Sequence, residues 1–476
     1  MNTGKLSFKT KAAYGIGQAA EGFKNFAFEN FLFFYYNQAL GLSGKLAGAA
    51  LLITLCCDAL MDPLAGSASD NMKHRWGRRH PFMYASAIPL AIGFALVFSA
   101  PAGASQAALF AWLTASSIFA RGAMALYHVP HLALGAELSS DYQERTAIVG
   151  YRLLFAVLGS VVLVIGAWSL FFRPTAEFAN GQLNPGAYPG LGAFYGILIM
   201  LAIFASAYGT HDRIPYLAEP PEKPEPLGVR RVLGELLGAL KNRSFRQLFM
   251  GILFFFVMRG VQVALQLHMF TFFWRLDAKS IERVQLAMVL GFAAGVPIWT
   301  LLSRRLEKKP MLVIALIGFS VFNLIPPMGV LLGAWPPVGT QAAFAGLLGC
   351  TGIAAFAGAG GFIAGGSMLA DVADEHELAT RRRQEGIFFG ALSFAGKSAA
   401  GLGVLLAGAA TDLIGFPAQA KVGEVPERAL DALAIVYGPG IVILGLAAQP
   451  FVARYHLTRA RHAEILRELE LLRAKS

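Results

Sequence analysis

The sequence predicts an all-α polytopic membrane protein with twelve transmembrane helices. Of its 476 residues, 56% are hydrophobic and 14% are charged, whereas soluble domains have about 45–50% apolar and about 25% charged residues. The net charge of +11 lies in short clusters between apolar segments, a distribution typical of membrane orientation rather than nucleic-acid binding. A soluble protein is therefore excluded, and we expect the lipid bilayer, not nucleic acid, to surround the chain.

The spans follow from counting about 20 residues per bilayer crossing, with turn residues as boundaries. They lie near 12–40, 46–69, 81–103, 106–136, 146–171, 190–210, 245–274, 282–303, 310–333, 343–370, 385–412 and 432–453. Basic clusters follow even-numbered spans, at 73–79, 304–309 and 381–383, whereas the loops 100–105 and 333–341 carry no charge. Because Lys and Arg stay on the cytoplasmic side, both termini are predicted to be cytoplasmic.

One long polar segment divides the spans six and six. Residues 211–243 include a proline-rich run that breaks any helix. We therefore predict a six-helix half over 1–210, a cytoplasmic middle loop over 211–243 and a second six-helix half over 244–453. Two such halves are typical of the major facilitator fold, in which the substrate site lies at the midplane between the halves.

The C-terminal segment is predicted to be a cytoplasmic amphipathic tail over 454–476. Leu466, Leu469 and Leu472 form one stripe among charged residues. Such a helix lies either at the membrane surface or on the protein itself.

Ionisable residues within spans are the first functional candidates, because a charge at mid-bilayer costs about 2.5–3.5 kcal/mol. Asp58 and Asp62 stand four residues apart on the second span, so both carboxylates share one helix face. Two acids so close are not both ionised cheaply, and one is expected to bind a proton or a cation. Lys397, central in the eleventh span, needs an anionic partner, and Asp58 or Asp62 is the economical choice. A buried ion-pair network that only holds helices together is the structural alternative.

Other polar residues on the spans are candidate substrate contacts. They comprise Glu21, Asn25, Arg121, His128, Arg152, Gln262 and Lys397. Arg121 and His128 are seven residues apart and share a helix face. A core histidine is, however, often only a hydrogen-bonded packing residue. Gln262, on one stripe with Arg259 and Gln266, could hydrogen-bond a ligand or join two helices.

The sequence contains no motif for covalent chemistry. HExxH, GxSxG, a nucleotide-binding loop and zinc-ligand spacings are absent from it. We therefore expect a protein that is not an enzyme, with no cofactor and no metal. We expect a monomer whose partners are a small-molecule substrate and the bilayer.

The second predicted span carries a distinctive run of residues. It reads Asp58-Ala59-Leu60-Met61-Asp62-Pro63, followed by Gly66, Ser69-Asp70 and residues 75–81. This run closely resembles the signature of the glycoside-pentoside-hexuronide:cation symporters, to which the melibiose permeases belong. The likeness extends to 35–36, 41–43, 135–152 and 371–397, in both halves.

The resemblance implies roles for individual residues. Asp58 and Asp62 would bind the coupling cation, Lys397 would face them, and Arg152 would belong to a charge network beside the sugar. The loop after the second span would act as a conformational latch that pairs with cytoplasmic helix ends in one state and releases them in the other. The latch residues are Asp70, Arg75, Gly77, Arg78 and Arg79.

Two departures from the family pattern concern the coupling ion. Sodium-using members supply a side-chain amide just before the second Asp and a hydroxyl on the fourth span, where this chain has Met61 and Ala125. A hard cation prefers several oxygen ligands, whereas a proton needs one basic group. We therefore expect H⁺ as the coupling ion, with Na⁺ as the alternative.

Further departures concern the substrate. Galactoside-binding members place an Asp and a stacking Trp on the fourth span, where this chain has His128 and Leu132, and the family Asp of the first span aligns with Gly22. These losses argue against a melibiose-like substrate. Arg121, His128 and Arg152 together favour an acidic sugar such as a uronide, or another anion.

The sequence thus predicts a secondary active symporter of the bacterial cytoplasmic membrane that imports a glycoside or uronide by alternating access. The substrate would bind between the halves near His128 and Arg152. A carrier of lysolipids or other amphipathic anions is the first alternative, because lysolipid carriers resemble the same family. A polytopic membrane enzyme acting on lipid-linked sugars and a non-transporting receptor are alternatives from other classes.

Overall fold

The computed structural model describes residues 5–217, 234, 238, 240–381 and 385–473. Within these ranges every regular element is helical and no strand occurs. The predicted all-α class is therefore confirmed. Part of the predicted middle loop and two members of the third basic cluster, Arg382 and Arg383, lie outside the described residues.

Twelve long helices follow one another along the described chain. They are α1 Phe8–Asn30, α2 Gly44–Asp70, α3 His80–Val97, α4 Gln106–Glu137, α5 Tyr142–Gly166, α6 Ala187–Gly209, α7 Arg243–His268, α8 Ala278–Leu302, α9 Lys308–Leu331, α10 Gln341–Thr380, α11 Glu385–Leu413 and α12, which runs as Glu427–Ile435 and Ile441–Ala453 joined by a π-helical turn. Similar π-helical turns extend α1, α5 and α7 at Tyr35–Ala39, Ala167–Phe171 and Met269–Phe273. A final helix, α13, spans Arg459–Arg473.

Several helix starts are fixed by a side-chain cap. The residues before α2, α4, α5 and α10 accept a hydrogen bond from a backbone N–H of the first turn, and they are Ser43, Ser105, Asp141 and Thr340. Such a cap satisfies one of the N–H groups that a helix start leaves without an intrahelical partner. The polar residues between apolar runs thus set where these helices begin.

Eleven of the described helices are long and apolar enough to cross a membrane. Among the twelve long helices of the described residues, α1 is the one outside this set, and its 23 residues include Glu21, Lys24 and Glu29. Its charges, not its length, distinguish α1, since 23 residues span about 34 Å at 1.5 Å per residue. Twelve crossings and cytoplasmic termini stay predictions.

The chain forms two compact units. The first holds α1–α6 together with the short segments Asp277–Glu282 and Pro417–Lys421. In this unit α1 packs on α5 and α6, while α4 packs on α2 and α3. The segment Pro417–Lys421 is bound by Gln38, whose Oε1 accepts from Ala420 N at 3.1 Å and whose Nε2 donates to Pro417 O at 3.3 Å.

The second unit holds α7, the rest of α8, and α9–α13. In it α7 packs on α11 and α12, and α9 packs on α10. The division at 1–210, 211–243, 244–453 and 454–476 stays a prediction.

The tail helix α13 lies on the protein, against α10. Ile465 and Leu469 are 1% and 4% exposed, whereas Leu466 is 40% exposed. The face that packs on the protein is therefore the i, i+4 pair of Ile465 and Leu469, and Leu466 of the predicted stripe lies outside this face. Arg459, at the start of α13, donates to the carbonyls of Ser303, Arg304 and Leu306 after α8.

Candidate functional site

The charged residues of the first unit meet where α1, α2 and α4 face one another. Arg121 on α4 donates from Nη1 to Asp58 Oδ2 on α2 at 3.2 Å. Both side chains are buried, with Asp58 4% and Arg121 7% exposed. Arg121 is therefore a partner of Asp58 within this unit, although the sequence placed Arg121 among the substrate contacts. Asp58 also interacts with other groups. Its pairing with Lys397 stays a prediction.

A second acid–base pair joins α1 to α4. Glu21 Oε2 lies 2.9 Å from His128 Nε2. Glu21 also accepts from Gln18 Nε2 and, at 3.2 Å, from Asn25 Nδ2, while Lys24 Nζ donates to Asn25 Oδ1 at 2.9 Å. Of the predicted substrate contacts, Glu21, Asn25 and His128 are thus brought together in one hydrogen-bonded cluster.

Helical spacing explains this cluster. Gln18, Glu21 and Asn25 are three and four residues apart on α1, so they share one face. The same periodicity places Arg121 and His128 on one face of α4. On this face Arg121 contacts Asp58 of α2, and His128 contacts Glu21 of α1. Gln18 was missed by sequence reasoning, although its spacing from Glu21 was a usable signal.

His131, one turn after His128, has a packing role. Its Nε2 lies 2.9 Å from the Tyr14 carbonyl oxygen, which can only accept, so Nε2 donates this hydrogen bond. The ring stacks on Tyr14 and Tyr127 at centroid distances of 4.4 and 5.2 Å. Arg152 on α5 lies beside the Tyr14 hydroxyl, so Tyr14 links the buried histidine to a predicted substrate residue.

Asp62 lies one turn after Asp58 on α2 and is half-buried. Pro63 follows it inside the helix, and a proline removes the hydrogen bond to the carbonyl four residues earlier, here that of Ala59. Met61 lies against α4, because its thioether occupies the space beside Gly122 that a side chain at that position would fill. Ala125 is 2% exposed. The two positions at which the sequence lacks oxygen ligands therefore hold a thioether and a buried methyl group.

The remaining predicted contacts lie in the second unit. Gln262 on α7 accepts from Arg259 Nη1 at 2.5 Å and donates to Gln266 Oε1 at 2.8 Å and to the Tyr437 hydroxyl at 3.5 Å. The contact to Tyr437, in the π-helical turn of α12, joins two helices, as the packing alternative predicts. Lys397 on α11 is half-buried. The roles of Gln262 and Lys397 in binding stay predictions.

The predicted latch loop is anchored to α4 by Glu137. Its Oε1 accepts from Arg78 Nη2 at 2.8 Å and from Arg79 Nη2 at 2.9 Å. Arg79 also pairs with Asp70 at 2.6 Å and donates to Ser69 Oγ. Sequence reasoning missed Glu137, since nothing local to the loop marks an acid 58 residues further along the chain.

Two more latch residues have local roles. Gly77 has φ +69°, a conformation that glycine adopts without steric cost, and Arg75 Cζ lies 5.3 Å from the Trp76 ring. Within the described ranges, no three His, Cys, Asp or Glu side chains are grouped to hold a metal ion. The cluster is thus made of ion pairs and amides, groups whose chemistry suits proton exchange and hydrogen bonding to polar solutes.

Comparison with known proteins gives the context for this site. The profile of the MFS/sugar transport protein family matches residues 13–459. An uncharacterized symporter of Synechocystis is 26% identical over 98% of this chain and 97% of its own. A glucuronide carrier protein homolog of Escherichia coli is 30% identical over 33% of this chain and 35% of its own. The sphingosine-1-phosphate transporter MFSD2B of Xenopus tropicalis is 23% identical over 84% of this chain and 78% of its own.

Solved structures agree on the fold. The crystal structure of a D-xylose-proton symporter superposes with a TM-score of 0.62 over 94% of this chain and 98% of that one, at 13% identity. At this identity the likeness shows the fold alone, and it confirms the major facilitator fold. The resemblance to the glycoside-pentoside-hexuronide:cation symporters is likewise confirmed by the profile and the relatives. The chain is an integral inner-membrane protein and belongs to the MFS/sugar transport protein family.

Proposed function

We propose that this protein is a cation-coupled symporter that imports a sugar-type solute by alternating access. The observation that carries the proposal is the meeting of two acid–base pairs, Asp58–Arg121 and Glu21–His128, on α1, α2 and α4 of the first unit. Ionisable residues inside a membrane protein are expensive and mark ion or substrate paths. The family membership supports transport as their purpose, rather than covalent chemistry.

The coupling ion is a proton in this proposal. Asp58 and Asp62 supply carboxylates, but Met61 and Ala125 fill the neighbouring positions with groups that a hard cation does not prefer. A proton needs only one basic site. Uptake that is driven by a pH gradient without sodium is the expected result.

The substrate class follows from how the charges are arranged. Arg121 and His128 already lie against Asp58 and Glu21. These two side chains are therefore less available to bind an anionic substrate than the sequence suggested. Glu21, Gln18 and Asn25 supply the carboxylate and amides that pair with sugar hydroxyls, while Arg152 is a cation for a sugar carboxylate. We therefore propose a glycoside or a uronide, and the glucuronide carrier homolog supports the uronide.

The test is uptake into proteoliposomes under an imposed pH gradient, with and without sodium. The panel contains labelled methyl-β-D-glucoside, methyl-β-D-glucuronide and a lysophospholipid. Accumulation of either glycoside above its external concentration, and its loss in Asp62→Asn, supports the proposal. Gradient-driven uptake that persists in Asp62→Asn refutes the assigned coupling site.

A second candidate function is transport of an anionic lipid. The relative that is a sphingosine-1-phosphate transporter aligns over most of this chain, and Leu132 stands where galactoside-binding members have a stacking Trp. In the same panel, uptake of the lysophospholipid with no glycoside uptake favours this candidate. If the lysophospholipid competitively inhibits glycoside uptake, the two classes of solute bind at the same site.

A further inference from the structure

Two cations of the first unit share one aromatic ring. Arg121 Cζ lies 5.2 Å from the centroid of Phe28, and Lys24 Nζ lies 5.8 Å from it. Both distances fall within the range of about 6 Å in which a cation is attracted to a ring face. Phe28 is 6% exposed, so little water screens these contacts.

Each cation belongs to one of the two charged groups of the site. Arg121 pairs with Asp58, the proposed coupling carboxylate. Lys24 donates to Asn25, and Asn25 donates to Glu21, which pairs with His128. Phe28 thus contacts one cation from the group that holds the proposed coupling carboxylate and one from the group of proposed sugar contacts.

The charges predict a response to ion binding. When a proton neutralises Asp58, the Arg121 guanidinium loses Coulomb attraction and the ring contact becomes a larger share of its stabilisation. Lys24 and Arg121 are like charges beside one ring, so a closer approach of Arg121 weakens the attraction between Lys24 and the ring. A shift of Lys24 changes its hydrogen bond to Asn25, and through it the Asn25–Glu21 contact.

We propose that Phe28 is a positioning residue that transmits the protonation state of Asp58 to the Glu21–His128 cluster. This inference rests on the proposed symport function. Phe28 contacts neither ion nor substrate in this scheme; it sets the coupling free energy between their two sites.

The chain offers matched variants. Phe28→Leu removes the ring and keeps an apolar side chain, whereas Phe28→Tyr keeps the ring. Phe94 stacks on Phe28 at a centroid distance of 5.8 Å and is fully buried, so Phe94→Leu disturbs the same packing without removing the shared ring.

The first measurement is transport of labelled methyl-β-D-glucuronide. We expect Phe28→Leu to lower accumulation under a pH gradient by about tenfold, within the usual range of coupling between sites, while downhill exchange changes less than about twofold. Phe28→Tyr and Phe94→Leu should accumulate the probe as the parent protein does. Equal loss in Phe28→Leu and Phe94→Leu would show a packing role and overturn the inference.

The second measurement needs no substrate, so it separates this inference from the proposed function. The rate at which diethyl pyrocarbonate modifies His128 is followed by mass spectrometry, with and without Asp58→Asn. We expect Asp58→Asn to change the rate severalfold in the parent and Phe94→Leu backgrounds but not in Phe28→Leu. No change in the parent, or an equal change in Phe28→Leu, contradicts the proposal. If the parent fails to take up the probe but these rates behave as expected, the uronide assignment falls and the role of Phe28 stands.

Discussion

The Glu21 carboxylate on α1 and the His128 imidazole on α4 lie 2.9 Å apart. Their pairing joins two residues that the sequence named only separately into one acid–base pair between α1 and α4. Gln18 and Asn25 hold the same carboxylate. The position of Glu21 is therefore fixed by three neighbours before any solute arrives.

Glu21→Gln is expected to weaken binding of the transported solute by about tenfold, because hydrogen bonds to a charged group are worth about 1.5–3 kcal/mol. The concentration dependence of proteoliposome uptake measures the effect. Glu29→Gln is the control on the same helix, where the side chain is exposed. Equal effects of the two substitutions would contradict a substrate role for Glu21.

Asp58→Asn is expected to lower stability, because removing one partner of a buried ion pair costs about 3–5 kcal/mol. The double variant Asp58→Asn with Arg121→Gln should regain much of that stability while still failing to accumulate solute. Thermal unfolding in detergent and gradient-driven uptake are measured on both. If the double variant is no more stable than the single one, the Asp58–Arg121 contact is not the main source of the loss.

Met61→Asn combined with Ala125→Ser is expected to introduce sodium dependence. The pair adds an amide and a hydroxyl oxygen at the two positions where sodium-using members of the resembled family carry them, and a hard cation prefers such oxygen ligands. Uptake is compared with and without sodium at equal internal and external pH. Met61→Leu, which adds no oxygen, serves as the control, and a parent protein that already requires sodium would refute the prediction.

Glu137→Gln is expected to loosen the loop that follows α2. The substitution weakens charge-assisted bonds from Arg78 and Arg79, each worth about 1.5–3 kcal/mol. Hydrogen exchange of residues 71–79 should rise, and the transport rate should change while the affinity for solute does not. Arg75→Gln, beside Trp76, should have the smaller effect on exchange.

Leu469→Ala is expected to detach the tail helix, because truncation of a buried Leu costs about 2–5 kcal/mol. Limited proteolysis within α13 should then be faster. Leu466→Ala is the matched control, since Leu466 is 40% exposed on the same helix. A helix that lay on the membrane through Leu466 would give the opposite order.

The sequence alone singled out many of these candidate residues because its signals are local. Asp58 and Asp62, or Arg121 and His128, stand at helical spacing, so their shared faces follow from periodicity. The loop signature 70–79 is contiguous and needed no tertiary information. The same reasoning could not say which acid meets which base, because partners on different helices carry no common spacing.

Composition and charge distribution determined that this chain is helical and lies in a membrane, since apolar length and the position of Lys and Arg decide both. Only the tertiary structure decided that Arg121 faces Asp58, that Glu137 anchors the loop and that Ile465 rather than Leu466 docks the tail. Each of these depends on the rotation of a helix about its axis and on its neighbour. Such rotations are fixed by side-chain packing between distant segments, which a linear pattern does not contain.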